Sequence, residues 1–311
     1  MLQQSQARVL SVRRIWDRAP HNAFTDLTRF DGRFYCVFRE ATVHGIEAGG
    51  AVRILISEDL ECWTCAGLFA LAGWDLRDPK ITVTPDEQLM VTAGARRPPD
   101  MRNFVWFSDD GEVFGPGQEF AEAGAWSWRV TWHKGAAYTV SRGVDREASA
   151  RGEHFIRLHR SGDGVDYEVL VEQLFVGGYP NEATLVFLND DTGLCLLRRE
   201  EEDCAAQLGT AQPPYVDWCW QKLSERLGGP NMAVLSDGRL IAGGRKYRGD
   251  IYCTALWEVD RSSGGLRELL ELPSAGDNSY PGFLWHDGTL YVSYYSSHEE
   301  KTSIYLARIA L

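Results

Sequence analysis

The chain has 311 residues, 44% of them hydrophobic, and its 32 basic against 44 acidic side chains give a formal net charge of −12. Such a field disfavours nucleic acid and anionic membrane, whose binding relies on clustered Lys and Arg. No run reaches the roughly 18 apolar residues of a membrane helix.

The opening MLQQSQARVLSVRRIW holds neither an apolar leader nor a small-residue cleavage site. Seven scattered cysteines suggest a reducing, cytoplasmic setting rather than secretion. Cys62-Trp-Thr-Cys65 is a lone pair without the second pair a zinc site needs, and the seven His are dispersed, so no metal and no cofactor is expected.

The run RVLSV at 8–12 reads as a strand with no neighbour in sequence to pair with. After it, β-rich runs are joined by tight turns at Asp31-Gly32, Pro85-Asp86, Lys134-Gly135, Asp191-Thr192-Gly193, Asp237-Gly238 and Asp287-Gly288. Gly supplies the positive φ such hairpins need. Successive turns lie roughly 50 residues apart, the period of propeller blades. Between them a second marker recurs, Ser-x-Asp followed by an aromatic residue: Ser57, Asp59 and Trp63; Ser108, Asp110 and Phe114; Ser161, Asp163 and Tyr167. The Asp caps a turn through backbone N–H groups while the ring folds back into the blade. Thr210 to Trp218 and the stretch around Trp257 are weaker versions. No long 3.6-residue period appears, so helix should be scarce. The expectation is one all-β domain over 1–311, a six-bladed propeller of four-stranded antiparallel blades, with the strand at 8–12 closing the ring beside the run at 304–309. Most of the 11 Trp should then pack between blades.

Seven residues beyond Gly32, Gly135 and Gly238 stand Arg39, Arg142 and Arg245; the less regular hairpins offer Arg96 or Arg97 and Arg198 or Arg199, and the sixth has Tyr295. These positions predict a ring of guanidinium groups at one channel mouth, suited to carboxylate or phosphate. The hairpin starts should line the same mouth with His21, Asn22, Asp26, Asp75, Arg77, Asp78, Trp126, Trp128, Arg129, Tyr179, Asn181, Glu182, Pro230, Asn231, Asn278, Ser279 and Tyr280. Polar groups beside Trp and Tyr suit a sugar, and Arg77, Asp26, Asp78, Trp128, Arg142 and Asn231 are candidate substrate contacts.

Through the Ser-x-Asp boxes and the hairpin ends, the sequence resembles the sialidase (neuraminidase) superfamily of six-bladed propellers. The resemblance implies that Tyr280 in DNSYPG is a nucleophile, that Glu182 in NEATLVF is its partner, and that Arg198 or Arg199 belongs beside them. Arg39 matches the family arginine that ends the first hairpin, but His44 stands where the family has its acid/base Asp, leaving His44, Glu40 and Glu47 open for that role. His21-Asn22-Ala23 replaces an Arg-Ile-Pro segment, and Arg245 or Arg248 would supply the arginine of the fifth blade. The expected activity is therefore hydrolysis of a glycoside of an acidic, sialic-acid-like sugar, small or oligosaccharide. Tyr280 would attack and Glu182 would take its proton. Arg39, Arg199 and Arg245 would grip the anion, and His44 or Glu47 would protonate the leaving oxygen. A phenol avoids the repulsion a carboxylate nucleophile would meet from an acidic sugar. Two other readings share the fold: a carbohydrate-binding propeller without catalysis, and a neutral-sugar glycosidase running on a carboxylate pair among Asp26, Asp75, Asp78 and Glu182.

Overall fold

The computed structural model describes residues 7–45, 49–145 and 153–311. Among these there is no helix, and the strands form six four-stranded antiparallel sheets. A leading strand β1 (Arg8–Trp16) precedes blade 1, which comprises β2 (His21–Phe30), β3 (Arg33–Ala41), β4 (Ala51–Ser57) and β5 (Thr64–Phe69). Blade 2 holds β6 (Asp75–Val83), β7 (Leu89–Arg97), β8 (Asp100–Ser108) and the short β9 (Gln118–Glu119). Blade 3 follows with β10 (Trp126–His133), β11 (Ala136–Asp145), β12 (Glu153–Ser161) and β13 (Tyr167–Val176). Blade 4 is β14 (Pro180–Phe187), β15 (Gly193–Arg199), β16 (Gln207–Ala211) and β17 (Cys219–Lys222). Blade 5 is β18 (Gly228–Val234), β19 (Leu240–Arg248), β20 (Ile251–Asp260) and β21 (Gly265–Glu271). Blade 6 has only β22 (Asn278–His286), β23 (Thr289–Ser296) and β24 (Ser303–Ala310) of its own; β1 pairs with β24 from Arg8↔Ala310 to Trp16↔Ile304 and supplies the fourth strand. The ring is thus closed by the strand that had no sequence neighbour, as expected.

Each predicted turn joins the two inner strands of a blade, and the Ser-x-Asp turns follow the third strand. Asp59 Oδ1 accepts the amides of Glu61 and Cys62, Asp110 Oδ1 those of Glu112 and Val113, and Asp163 Oδ1 those of Val165 and Asp166, at 2.8–2.9 Å. These bonds hold all three carboxyls below their usual range.

Apolar clusters fill the seams between neighbouring blades. Tyr35, Val37 and Ile54 of blade 1 meet Leu76, Val91 and Trp106 of blade 2; Trp16, Tyr291 and Leu306 close blade 6 onto Phe34 and Phe38 of blade 1. Of the 11 Trp, all but Trp126 and Trp128 belong to these clusters. Removing flat, bulky rings from water between wedge-shaped sheets is the main source of the ring's cohesion.

Candidate active site at the channel mouth

Near its start, every innermost strand makes the same departure from regular pairing. Two residues stand opposite one of the next strand: Phe24-Thr25 against Phe38, Asp78-Pro79 against Ala93, Trp128-Arg129 against Val140, Asn181-Glu182 against Arg198, Gly229-Pro230 against Gly244, and Tyr280-Pro281 against Tyr294. A bulge bends its strand and turns a side chain out of the ladder. Proline, which has no N–H for the ladder, is the second bulge residue in three of the six. Phe24 (φ 63°), Asp78 (52°), Gly229 (56°) and Tyr280 (51°) take left-handed backbone there, and Ser279 (93°) does so beside Tyr280. For a bulky residue this conformation is strained and held only by its surroundings. The holding bonds come from adjacent blades: Thr25 Oγ1 donates to the Tyr280 carbonyl at 2.9 Å, and Asn231 Nδ2 donates to the Pro281 carbonyl at 2.9 Å.

The bulges of blades 4 and 6 meet across the mouth. Tyr280 Oη donates to Glu182 Oε1 at 2.6 Å. Arg198, opposite the Glu182 bulge, donates through Nη1 to both Glu182 oxygens (3.0 and 3.1 Å) and to Tyr280 Oη (3.0 Å). Burial alone would raise the Glu182 carboxyl, but the Arg198 charge and the Tyr280 hydrogen bond outweigh it and hold it below the usual range. Burial, reinforced by the Glu182 charge, pushes the Tyr280 phenol well above its ordinary value. At rest, then, a neutral phenol donates to an anionic carboxylate under a shared guanidinium. A phenol so placed could act as a nucleophile only by giving its proton to Glu182, and the Arg198 guanidinium would then stabilise the oxygen left behind.

Around this pair, Trp128 is 5.7 Å from the Tyr280 ring and Phe24 is 5.1 Å from it. Arg245 lies 5.7 Å over the same ring, and Arg77 lies 5.2 Å over Phe24. Arg77 pairs with Asp78 through Nε at 3.1 Å. Arg142 donates to Asn181 at 3.0 Å and stands over Trp126. These groups therefore gather at one mouth.

Other expectations need correction. The arginines do not form one ring in register: Arg39, Arg199 and Arg245 face the residues preceding the bulges, but Gly94 and Ser141 occupy that position in blades 2 and 3. Arg142 lies one residue further on, which reverses its face of the sheet. Arg39 is fully buried and engaged: Nε and Nη2 donate to Asp75 Oδ1, Nη1 to the Val43 carbonyl and Nη2 to the Gly45 carbonyl. It is not available to a ligand. Arg199 packs on Gly178 and pairs with Glu202 and Asp203, so Arg198 occupies the site instead. Asp26 is buried and binds Arg129 and the Ile81 amide, and Asn231 is spent on Pro281, so neither faces a substrate. Glu40 accepts from Trp16 and Arg53 on the other face of β3. Arg248 pairs with Glu271. Glu47 lies outside the described residues. His44 lies in the loop after β3, with Nδ1 2.7 Å from Asp277 Oδ2. The sequence reading passed over Asp277, although it stands three residues before Tyr280. It also missed the repeated X-Pro of the bulges, Asp78-Pro79, Gly229-Pro230 and Tyr280-Pro281, a legible sign of where ladder pairing stops.

No protein-family model and no curated protein sequence matches the chain. Solved structures do. A protein of unknown function from Dyadobacter fermentans aligns at a TM-score of 0.87 and 15% identity over 99% of this chain and 100% of its own. Trypanosoma rangeli sialidase, in complex with sialic acid, aligns at 0.71 and 12% identity, covering 98% of this chain, which spans only 58% of that protein. The NanB sialidase of Streptococcus pneumoniae aligns at 0.68 and 9% identity over 99% of this chain and 71% of its own. In fold, this chain is a six-bladed propeller similar to those of the two sialidases.

Proposed function

We propose that the protein is an exo-acting glycoside hydrolase that cleaves the glycoside of an acidic sugar through a covalent tyrosyl intermediate. The observation that carries this reading is the Tyr280–Glu182–Arg198 constellation, in which the phenol oxygen has both a base at 2.6 Å and a cation at 3.0 Å. A buried phenol that needs a base to attack suits a substrate whose own negative charge would repel a carboxylate nucleophile. Arg245 stands over the Tyr280 ring, and Arg77, paired with Asp75 and Asp78, stands over the adjoining Phe24 ring; Arg245 with Arg198 supplies the positive field that would hold the sugar's anionic group. Trp128 and Phe24, both buried, pack against the Tyr280 ring and hold it in place. A two-carboxylate hydrolysis of a neutral sugar is less well supported, since Asp26, Asp75 and Asp78 are each paired with an arginine.

The test is turnover of fluorogenic glycosides of N-acetylneuraminic acid and related ulosonic acids by the wild type, Tyr280→Phe and Glu182→Gln. Each variant should lose at least about 10³-fold in kcat while staying folded. A 2,3-difluorinated analogue should label Tyr280 in the wild type. Full activity in Tyr280→Phe would remove the assignment, and binding of the sugars without turnover would make the protein a carbohydrate-binding propeller.

A further inference from the structure

Glu182 and Arg198 serve the nucleophile, but hydrolysis also needs a group that protonates the leaving oxygen. A second constellation occupies the neighbouring arc of the mouth. Asp277 Oδ2 lies 2.7 Å from His44 Nδ1 and 3.0 Å from His21 Nε2, while its Oδ1 accepts the Tyr295 hydroxyl at 2.9 Å and faces Arg245 at 3.4 Å. We propose that His44 is the general acid–base group of this site and Asp277 its positioning residue, a reading that rests on the glycoside hydrolase assignment above.

Although Asp277 is largely buried, hydrogen bonds from His21 and His44 and the charge of Arg245 hold its carboxyl far below the usual range. An anionic Asp277 only accepts, so His44 carries its proton at Nδ1 and presents Nε2 outward. Its side chain is 53% exposed, enough to reach a ligand. The ring packs edge-on to Phe24 at 5.4 Å, and Phe24 packs on Tyr280, so acid and nucleophile share one aromatic wall. The groups around the imidazole are thus Asp277, His21 and Phe24, with Arg245 and Tyr295 behind the carboxylate. The backbone is pinned as well. Buried Arg39 binds the carbonyls of Val43 and Gly45, the residues on either side of His44.

The three donor atoms lie within 4.8 Å of one another, close enough to suggest a cation. Coordination through His21 Nε2 would require a proton on His21 Nδ1, which is buried with no acceptor among the described residues. Metal-bound imidazoles nearly always have that second partner. The arrangement suits a proton better than a metal.

In the first step, protonated His44 gives Nε2–H to the glycosidic oxygen as the C–O bond breaks, the Tyr280 Oη–C bond forms and the phenol proton passes to Glu182. In the second, neutral His44 takes a proton from water as its oxygen attacks the anomeric carbon. The Tyr280 Oη–C bond breaks and Glu182 returns the phenol proton. The net change is addition of one water.

The experiment compares methyl and 4-methylumbelliferyl glycosides of the same ulosonic acids. His44→Ala should lose at least about 10³-fold in kcat on the methyl glycoside and far less on the umbelliferyl one, whose leaving group needs no proton. Asp277→Asn should show the same aglycone bias with KM unchanged, and Asp277→Glu should recover part of the loss. Equal losses on both aglycones, with folding intact, overturn the proposal, as does activity removed by a chelator and restored by Zn²⁺. If His44→Ala shows no bias while Tyr280→Phe is inactive, only the dyad falls. If Tyr280→Phe is fully active, or the wild type turns over none of these glycosides, the hydrolase reading falls and the dyad with it.

Discussion

At the scale of single residues, the site consists of charges that cannot be removed one at a time. Glu182 and Arg198 are both buried, and each is the other's compensation. Arg198→Ala leaves a carboxylate stranded and should cost about 3–5 kcal/mol, read as a fall in the urea midpoint; Arg198→Ala with Glu182→Leu should recover most of that stability but no activity. A second residue reports pH. His159 is 1% exposed, its Nε2 lies 2.7 Å from Ser141 Oγ, and burial lowers its pKa from 6.5 to about 4. Between those values the unfolded chain binds a proton that the folded one refuses, so stability falls as pH falls through that window, by about 3 kcal/mol in all. His159→Gln should flatten this loss when melting is compared at pH 7 and pH 4.5. The sequence marked Tyr280 and Glu182 because each stands at a recognisable hairpin start. It could not separate Arg198 from Arg199, since adjacent strand residues differ only in the face they point to, and that depends on a bulge one strand away. Nor could it see that Arg39 is consumed by Asp75, a contact between blades.

At the scale of elements, the bulges and the loop after β3 determine how the site is held. Gly229 shows the fit: a Cβ there would stand 2.5 Å from the Tyr280 ring, on a backbone with φ 56°. Gly229→Ala should displace the phenol from Glu182 and remove most turnover, while costing about 1–3 kcal/mol; a crystal structure of the variant would show the Tyr280 Oη–Glu182 bond lengthened. At the loop, Gly50 donates its amide to Asp75 Oδ1 at 2.7 Å, and a Cβ would meet that oxygen at 2.3 Å. Turns and strand runs were readable because Gly and Asp mark them locally. The bulges were not, because a two-against-one register exists only once two strands have paired.

At the scale of the whole molecule, closure rests on β1. It covers the edge of β24 and brings Trp16 into the seam between blades 6 and 1. Deleting residues 1–17 should leave β24 as an open edge and blade 6 with three strands; the truncated chain should melt at a markedly lower temperature and associate in size-exclusion chromatography, and an unchanged monomer would contradict that role for β1. The period of the hairpins was enough to count the blades, because each repeat must bury its faces against its neighbours.

The six kinks near the channel have a further consequence. Each projects side chains from a point where the sheet has already given up its regular hydrogen bonding, so replacing one of them breaks no ladder bond, even where the side chain itself is packed into a seam as Phe24 is. A library confined to half-buried Asn181 should re-aim the mouth towards other ligands while the melting temperature of the ring stays nearly constant, whereas truncating buried Phe24 or Trp128 should lower it.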